Sequence, residues 1–136
     1  MEIIFEMIFT RNDIKSNPLN CLALCIYFEA RGEPIERQHW VGHVVMNRVA
    51  NKSFPNDIYS VVFQRSQFSW TIGKKQFVVN ELLAFKKCIE IASNVLHREK
   101  DITDNALYFL TVNLNTSWSR KLKIRKVIGG MKFLGY

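Results

Sequence analysis

Glu29 is the residue that fits its surroundings least. It follows Tyr27-Phe28 and lies seven residues after Leu22 and three after Ile26, so it extends an apolar stripe at helical spacing. A carboxylate on a core-facing stripe loses hydration, which raises its pKa. A carboxyl that keeps its proton near neutral pH meets the requirement of general acid catalysis. The same pattern suits a structural carboxylate paired with Arg31, Arg37 or Arg48, and spacing alone leaves both readings open. Glu33 lies four residues on, but Gly32 and Pro34 interrupt the helix between the two. Glu33 is therefore expected to cap the next helix and not to face Glu29.

Other reactive types are present without a reactive pattern. His39 and His43 have the four-residue spacing of helical zinc pairs, but Trp40-Val41-Gly42 between them lacks the glutamate of His-Glu-x-x-His. No metal and no cofactor are expected. The cysteines number three, and Cys21 and Cys25 share a helical segment where facing side chains rarely reach disulfide geometry. Free, buried thiols and folding in a reducing compartment follow. There is no Gly-x-Ser-x-Gly turn and no glycine-rich phosphate loop.

These residues must be positioned by a helix-dominated frame. Asn17-Pro18 is a helix start, with Asn as cap and Pro at the first helical position, and Leu19, Leu22, Ala23 and Ile26 continue it to Arg31-Gly32. A second helix begins near Ile35 with a stripe of Gln38, Val41, Gly42, Val45 and Val49. A short helix covers Ile58 to Phe63, and Gln64 to Gln76 reads as a polar and aromatic loop. A third long helix covers Asn80 to Leu96, with Leu82, Phe85, Ile89, Ala92 and Leu96 on one face. Asp101 to Asn105 is turn-like. Leu107 to Val112 and Lys126 to Phe133 have strand character and are expected to pair antiparallel. The fold class expected is α+β, mostly helical, with a small antiparallel β element near the C-terminus.

Composition narrows the function classes. The 136 residues suit one domain over 1–136, and 48% hydrophobic with 12% aromatic content fills a core. The apolar run Leu22–Phe28 is seven residues long, far short of the roughly 20 that span a bilayer. Met1 to Phe9 is apolar but acidic, unlike a secretory signal, and is expected to form a short strand or helix. The net charge is +7, and residues 105–136 hold Arg120, Lys121, Lys123, Arg125, Lys126 and Lys132 with no acidic residue. That end should attract a polyanion such as nucleic acid, an anionic membrane or a bacterial wall, unless it is simply a solvated face.

Tyr27-Phe28-Glu29-Ala30-Arg31-Gly32-Glu33-Pro34 resembles the signature of the cell wall hydrolase family that includes spore cortex-lytic enzymes of the SleB type. Gln38 with Val41-Gly42-His43-Val44-Val45-Met46-Asn47-Arg48-Val49 is similar to that family's next block. So, in order, are Phe54-Pro55, Val61-Val62-Phe63-Gln64, Gln67-Phe68-Ser69-Trp70, Asp101-x-Thr103-x-x-Ala106-Leu107-Tyr108-Phe109, Trp118 and Ile128-Gly129. The likeness covers about residues 19–133, leaving 1–16 as an N-terminal extension. Many relatives carry histidine in the stretch matching Tyr108-Phe109-Leu110 and again near Met131, and this chain has neither.

The resemblance implies a lysozyme-like fold and cleavage of peptidoglycan glycan strands as a lytic transglycosylase, with Glu29 as the essential glutamate. It further implies that Gln67, Ser69, Trp70 and Tyr108 line the sugar cleft, with Asn47 and Arg48 structural. The partner is then the glycan strand, with the basic C-terminal segment touching anionic wall or membrane, no specific nucleic acid, and a monomer. An enzyme made in the cytoplasm without a signal peptide and acting on the wall, as a phage endolysin does, is the expected setting. The alternatives are a hydrolytic muramidase of the same fold and a non-catalytic module binding wall or nucleic acid.

Overall fold

The helix that carries Glu29 forms where its caps place it. The Asn17 side chain accepts from the Asn20 N–H at 3.0 Å and Pro18 opens the helix, so α2 spans Pro18–Ala30. Gly32, at φ +78°, turns the chain out of it in a conformation that side-chain-bearing residues rarely adopt. The structure, a computed structural model, describes residues 5–65 and 67–136. Residues 1–4 of the expected N-terminal element lie outside the described residues.

Helix α2 is not amphipathic in place. Every residue from Cys21 to Tyr27 is fully buried, because α3 (Ile35–Val49), α4 (Ile58–Val62) and α5 (Leu82–His97) all pack against it. A helix apolar all round belongs in the centre of a core. Leu22, Leu24 and Ile26 each contribute about 1.5–3 kcal/mol by leaving water. The buried stripe of α5 is Phe85, Cys88, Ile91, Ala92 and Val95, while the expected Leu82, Ile89 and Leu96 flank it half-buried. α5 meets both α2 and α3, so its covered face is broader and slightly rotated. The three cysteines are free and buried, and burial pushes the Cys21 thiol up to about 12 and Cys88 to about 11.

Among the described residues two antiparallel sheets flank the helices. In the first, β1 (Met7–Thr10) pairs with β2 (Gln76–Val79), and Phe9 and Phe77 stand opposite each other facing inward. Strand β2 begins at the last residue of the expected loop and fills the gap before the expected helix, where no strand was foreseen. The helical turn α1 (Arg11–Lys15) follows β1 directly, capped by Thr10. The second sheet has the order β3-β5-β4, from β3 (Tyr108–Thr111), β4 (Lys123–Ile128) and β5 (Met131–Gly135). The expected strand over Lys126 to Phe133 is thus a hairpin. Gly129, at φ +62°, makes the turn with Gly130, and the two halves pair as Ile128↔Met131. Leu107 to Val112 does pair antiparallel with the chain's last strand, as expected.

The turn between α5 and β3 is organised by Asp101. Its carboxylate accepts from the Thr103 N–H at 2.9 Å, the Thr103 hydroxyl at 2.6 Å and the Asn105 N–H at 2.7 Å. Asp104 and Asn105 adopt φ of 52° and 60°, which these bonds maintain. Burial raises the Asp101 pKa, but these donors outweigh it and leave the carboxyl below its ordinary value. A pKa lowered by folding stabilises above the unfolded value and is lost as pH falls through the folded one. Asp101→Ala is expected to cost about 1–2 kcal/mol at neutral pH, the exposed setting keeping it small. Urea unfolding at neutral and strongly acid pH should show that difference shrinking in acid.

Candidate active site

Glu29 stands on the last turn of α2, half-buried, and borders a cleft of about 350 Å³. One wall is the Gln67–Ser69 turn with Ile72. The other is the sheet edge, Phe109 to Thr111 of β3 with Met131 of β5 and Leu114. Arg48 lies at the back. No second carboxylate borders the cleft among the described residues.

The three arginines that offered Glu29 a structural partner are engaged elsewhere. Arg31 pairs with Glu81 at 2.8 Å and donates to the Tyr27 hydroxyl. Arg37 pairs with Glu33 at 2.9 Å. Arg48 donates from Nε to the Leu107 carbonyl at 2.7 Å and from Nη1 to Gln67 Oε1 at 3.1 Å. Among the described residues Glu29 forms no ion pair and accepts no hydrogen bond. Burial raises its pKa above the usual carboxylate value, and the Arg37 charge opposes this in part. The end of α2, where the helix dipole is negative, adds to the disfavour of the anion.

Glu33 does not cap α3. Pro34 takes that place without a side-chain bond, and the Glu33 carboxylate goes to Arg37 four residues on. This partly neutralises the one cation that lowers the Glu29 pKa. Glu33→Gln is therefore expected to lower the Glu29 pKa, readable by titration of the carboxyl carbon in nuclear magnetic resonance. An unchanged value would show that Arg37 acts independently of Glu33.

The structure brings Glu29, Gln67 and Ser69 together around one cleft. With Oε1 held by Arg48, Gln67 presents its amide NH2 as donor. Tyr108 lies in the adjoining hollow with Arg48, Gln67, Phe109 and Trp118. Burial and the neighbouring Tyr136 hydroxyl push its phenol up to about 12, so it stays neutral and can donate. Trp70 is not among the residues that line the cleft. It is 8% exposed, stacked on Phe28 at 4.9 Å between ring centres, with Phe63 and Phe77 edge-on. It packs within this aromatic cluster, its indole Nε1 buried and without a hydrogen-bond partner among the described residues.

Arg48 and Asn47 have the structural bonds expected of them. Asn47 Nδ2 donates to the Ala106 carbonyl at 2.9 Å and to Thr103 Oγ1 at 3.1 Å. Arg48 also has a role not expected, as part of the cleft wall. It has no carboxylate partner among the described residues and lies instead over the rings of Phe54, Phe68 and Tyr108. Leu114, Thr111 and Ile72 were not foreseen in the cleft. The two stretches where the resembling family carries histidine, 108–110 and around 131, both border it, which is the one signal pointing there. The N-terminal extension contributes as well. Arg11 donates to the carbonyls of Thr71 at 2.8 Å and Lys74 at 3.1 Å, holding the loop that carries Ser69. His39 and His43 share the Glu99 carboxylate at 2.9 Å, and this ties α3 to the chain beyond α5.

Comparison with known proteins bears on this geometry. A family model described as Cell Wall Hydrolase matches residues 32–134, a range that begins three residues after Glu29. The spore cortex-lytic enzyme of Bacillus cereus is 33% identical over 119 residues, covering 85% of this chain and 44% of that protein. Its Bacillus subtilis counterpart is 30% identical over 115 residues, covering 82% of this chain and 34% of that protein. The chain thus spans less than half the length of these curated relatives. The crystal structure of the catalytic domain of the Bacillus cereus SleB protein superposes with a TM-score of 0.71 at 29% identity, covering 88% of this chain and 91% of that one. The catalytic domain of a germination-specific lytic transglycosylase, SleB from Bacillus anthracis, gives 0.69 at 26% identity, covering 87% and 93%.

Proposed function

The chain belongs to the cell wall hydrolase family, and from that premise we propose that its Glu29 cleft cleaves the glycan strands of peptidoglycan as a lytic transglycosylase. Protonated Glu29 gives its proton to the glycosidic oxygen between N-acetylmuramic acid and N-acetylglucosamine, and the C1–O bond breaks. The resulting carboxylate takes the proton of the muramic C6 hydroxyl, whose oxygen closes onto C1. The products are a 1,6-anhydro end and a free N-acetylglucosamine hydroxyl, and Glu29 is again protonated. Gln67, Ser69 and Tyr108 hold the sugar substituents through amide and hydroxyl groups.

One observation carries this reading: Glu29 is the single carboxylate at the cleft among the described residues, and it is unpaired, desolvated and shifted toward its protonated form. Two-carboxylate glycosidases need a second acid at a set distance, whereas the internal attack by C6 uses one group twice. Loss of the Glu33 carboxylate, by lowering the Glu29 pKa, should move the alkaline fall of the activity profile to lower pH.

The test is digestion of purified peptidoglycan followed by mass spectrometry of the soluble products. Anhydromuropeptides support the reading. Products heavier by one water, with reducing muramic ends, replace it with a hydrolytic muramidase. No fragments from several wall types overturn cleavage altogether.

A further inference from the structure

A second hollow, of about 320 Å³, lies beyond the Glu29 cleft and is lined by Tyr108, Ser117, Trp118, Lys121, Leu122 and Tyr136. It shares Tyr108 and Trp118 with the small hollow that also contains Arg48 and Gln67, and those two residues border the cleft itself. The three depressions therefore adjoin, each sharing lining residues with the next. An enzyme acting on a polymer has use for adjoining hollows beyond its reacting bond.

The hollow is built of aromatic faces on a pinned loop. Trp118 is 46% exposed, against 6% for Trp40 and 8% for Trp70. Its ring lies 5.2 Å from Tyr108, and Tyr136 lies 6.3 Å from Tyr108 on the same side of the sheet. An exposed tryptophan beside two tyrosines costs solvation unless something covers it. The loop beneath is held by reciprocal bonds between Thr116 and Ser119, at 2.8 and 3.1 Å. It is anchored again by buried Lys132, whose Nζ donates to Asn115 Oδ1 at 2.9 Å. The platform is thus preorganised, which lowers the cost of binding.

The rim carries an exposed positive charge. Lys126 pairs with Glu36 and Arg125 with Asp104, but Lys121 has no acidic partner among the described residues. A pyranose ring presents polarised C–H groups on its faces, which suit the electron-rich faces of Trp and Tyr. A lysine beside that platform suits a carboxylate.

We propose that the hollow of Tyr108, Trp118, Lys121 and Tyr136 is a remote subsite for the glycan strand that enters the Glu29 cleft, stacking one sugar on the aromatic faces and pairing Lys121 with a carboxylate of the strand's peptide substituent. This rests on the glycan-strand reading given above, but its test does not require cleavage.

Trp118, the one exposed tryptophan, reports directly on its own site. The full chain carrying Glu29→Gln is titrated with soluble peptide-bearing glycan strands while acrylamide quenches tryptophan emission. Bound strands should shield Trp118 and remove most of the quenching. Lys121→Gln in the same background should weaken binding about tenfold, roughly 1.4 kcal/mol, for peptide-bearing strands. For strands whose peptide carboxyl groups have been converted to amides it should change nothing. Tyr136→Ala should weaken both kinds of strand. Strands that bind and leave Trp118 fully quenchable overturn the proposal, as does an equal effect of Lys121→Gln on both strands. Tighter protection of Trp118 by a single-stranded oligonucleotide, with steep salt dependence, overturns it in favour of a nucleic-acid site. Shielding of Trp118 in a protein whose unsubstituted form releases no fragments upholds the subsite and removes only the cleavage reading.

Discussion

Glu29→Gln is expected to lower turnover on peptidoglycan by about 10³-fold while leaving the protein more stable than the unsubstituted chain at neutral pH. The first effect follows because the amide neither gives a proton to the leaving oxygen nor takes one from the C6 hydroxyl, and no other carboxylate borders the cleft among the described residues. The second follows from linkage. Burial raises the Glu29 pKa in the folded state above its ordinary value, so the folded protein binds that proton more tightly than the unfolded chain does. The stability this provides is complete below the unfolded pKa and is lost as pH rises through the folded one. Glutamine, uncharged throughout, escapes the loss. The advantage of the variant should therefore be small near about pH 4, grow with pH, and level off above the folded pKa. Thermal melts across that range, alongside product release, check both halves. Turnover within tenfold of the unsubstituted chain would remove Glu29 from the chemistry. A variant less stable at every pH would mean that its carboxylate is well satisfied after all.

Arg48→Met is expected to cost about 2 kcal/mol of stability and at least about tenfold in kcat/KM, two effects with one origin. The guanidinium is buried, and burial pushes its pKa down from the usual value, which Tyr108 and Cys25 counter only in part. It is tolerated because it satisfies the Leu107 carbonyl and Gln67 Oε1 and lies among three aromatic rings. Methionine fills much of the same volume and removes the burial cost of the charge. It also leaves the buried Leu107 carbonyl unpaired, worth about 1–3 kcal/mol, so the balance is unfavourable. Gln67 is exposed and loses the bond that orients it toward the cleft. Urea unfolding reads the first effect and steady-state kinetics the second. A loss of stability with unchanged kinetics would mean that Gln67 holds its position without Arg48.

The frame was legible where its causes are local. Asn17-Pro18 and Gly32 delimit α2 because capping and left-handed turns are decided within a few residues. Phe9 and Phe77 are different. Residues 76–79, between the expected loop and the expected third long helix, gave no strand signal, because β2 exists only where β1 meets it across the chain. The hairpin at Gly129 was hidden by strand-forming residues on both sides of a two-residue turn.

The site divides along the same line. Helical spacing and residue type mark Glu29 as out of place on an apolar stripe without reference to any partner. The sequence also held three arginines within reach of Glu29, and nothing local distinguishes an arginine that neutralises a carboxylate from one that does not. Docking sends Arg31 to Glu81 and Arg48 to Leu107 and Gln67, while Arg37 takes Glu33 one helical turn away, leaving Glu29 unpaired among the described residues. It likewise turns Trp70 into the core while Trp118 faces water. Both outcomes rest largely on packing and hydrogen bonds between residues far apart in the chain, which exist only once the helices and the sheet have docked.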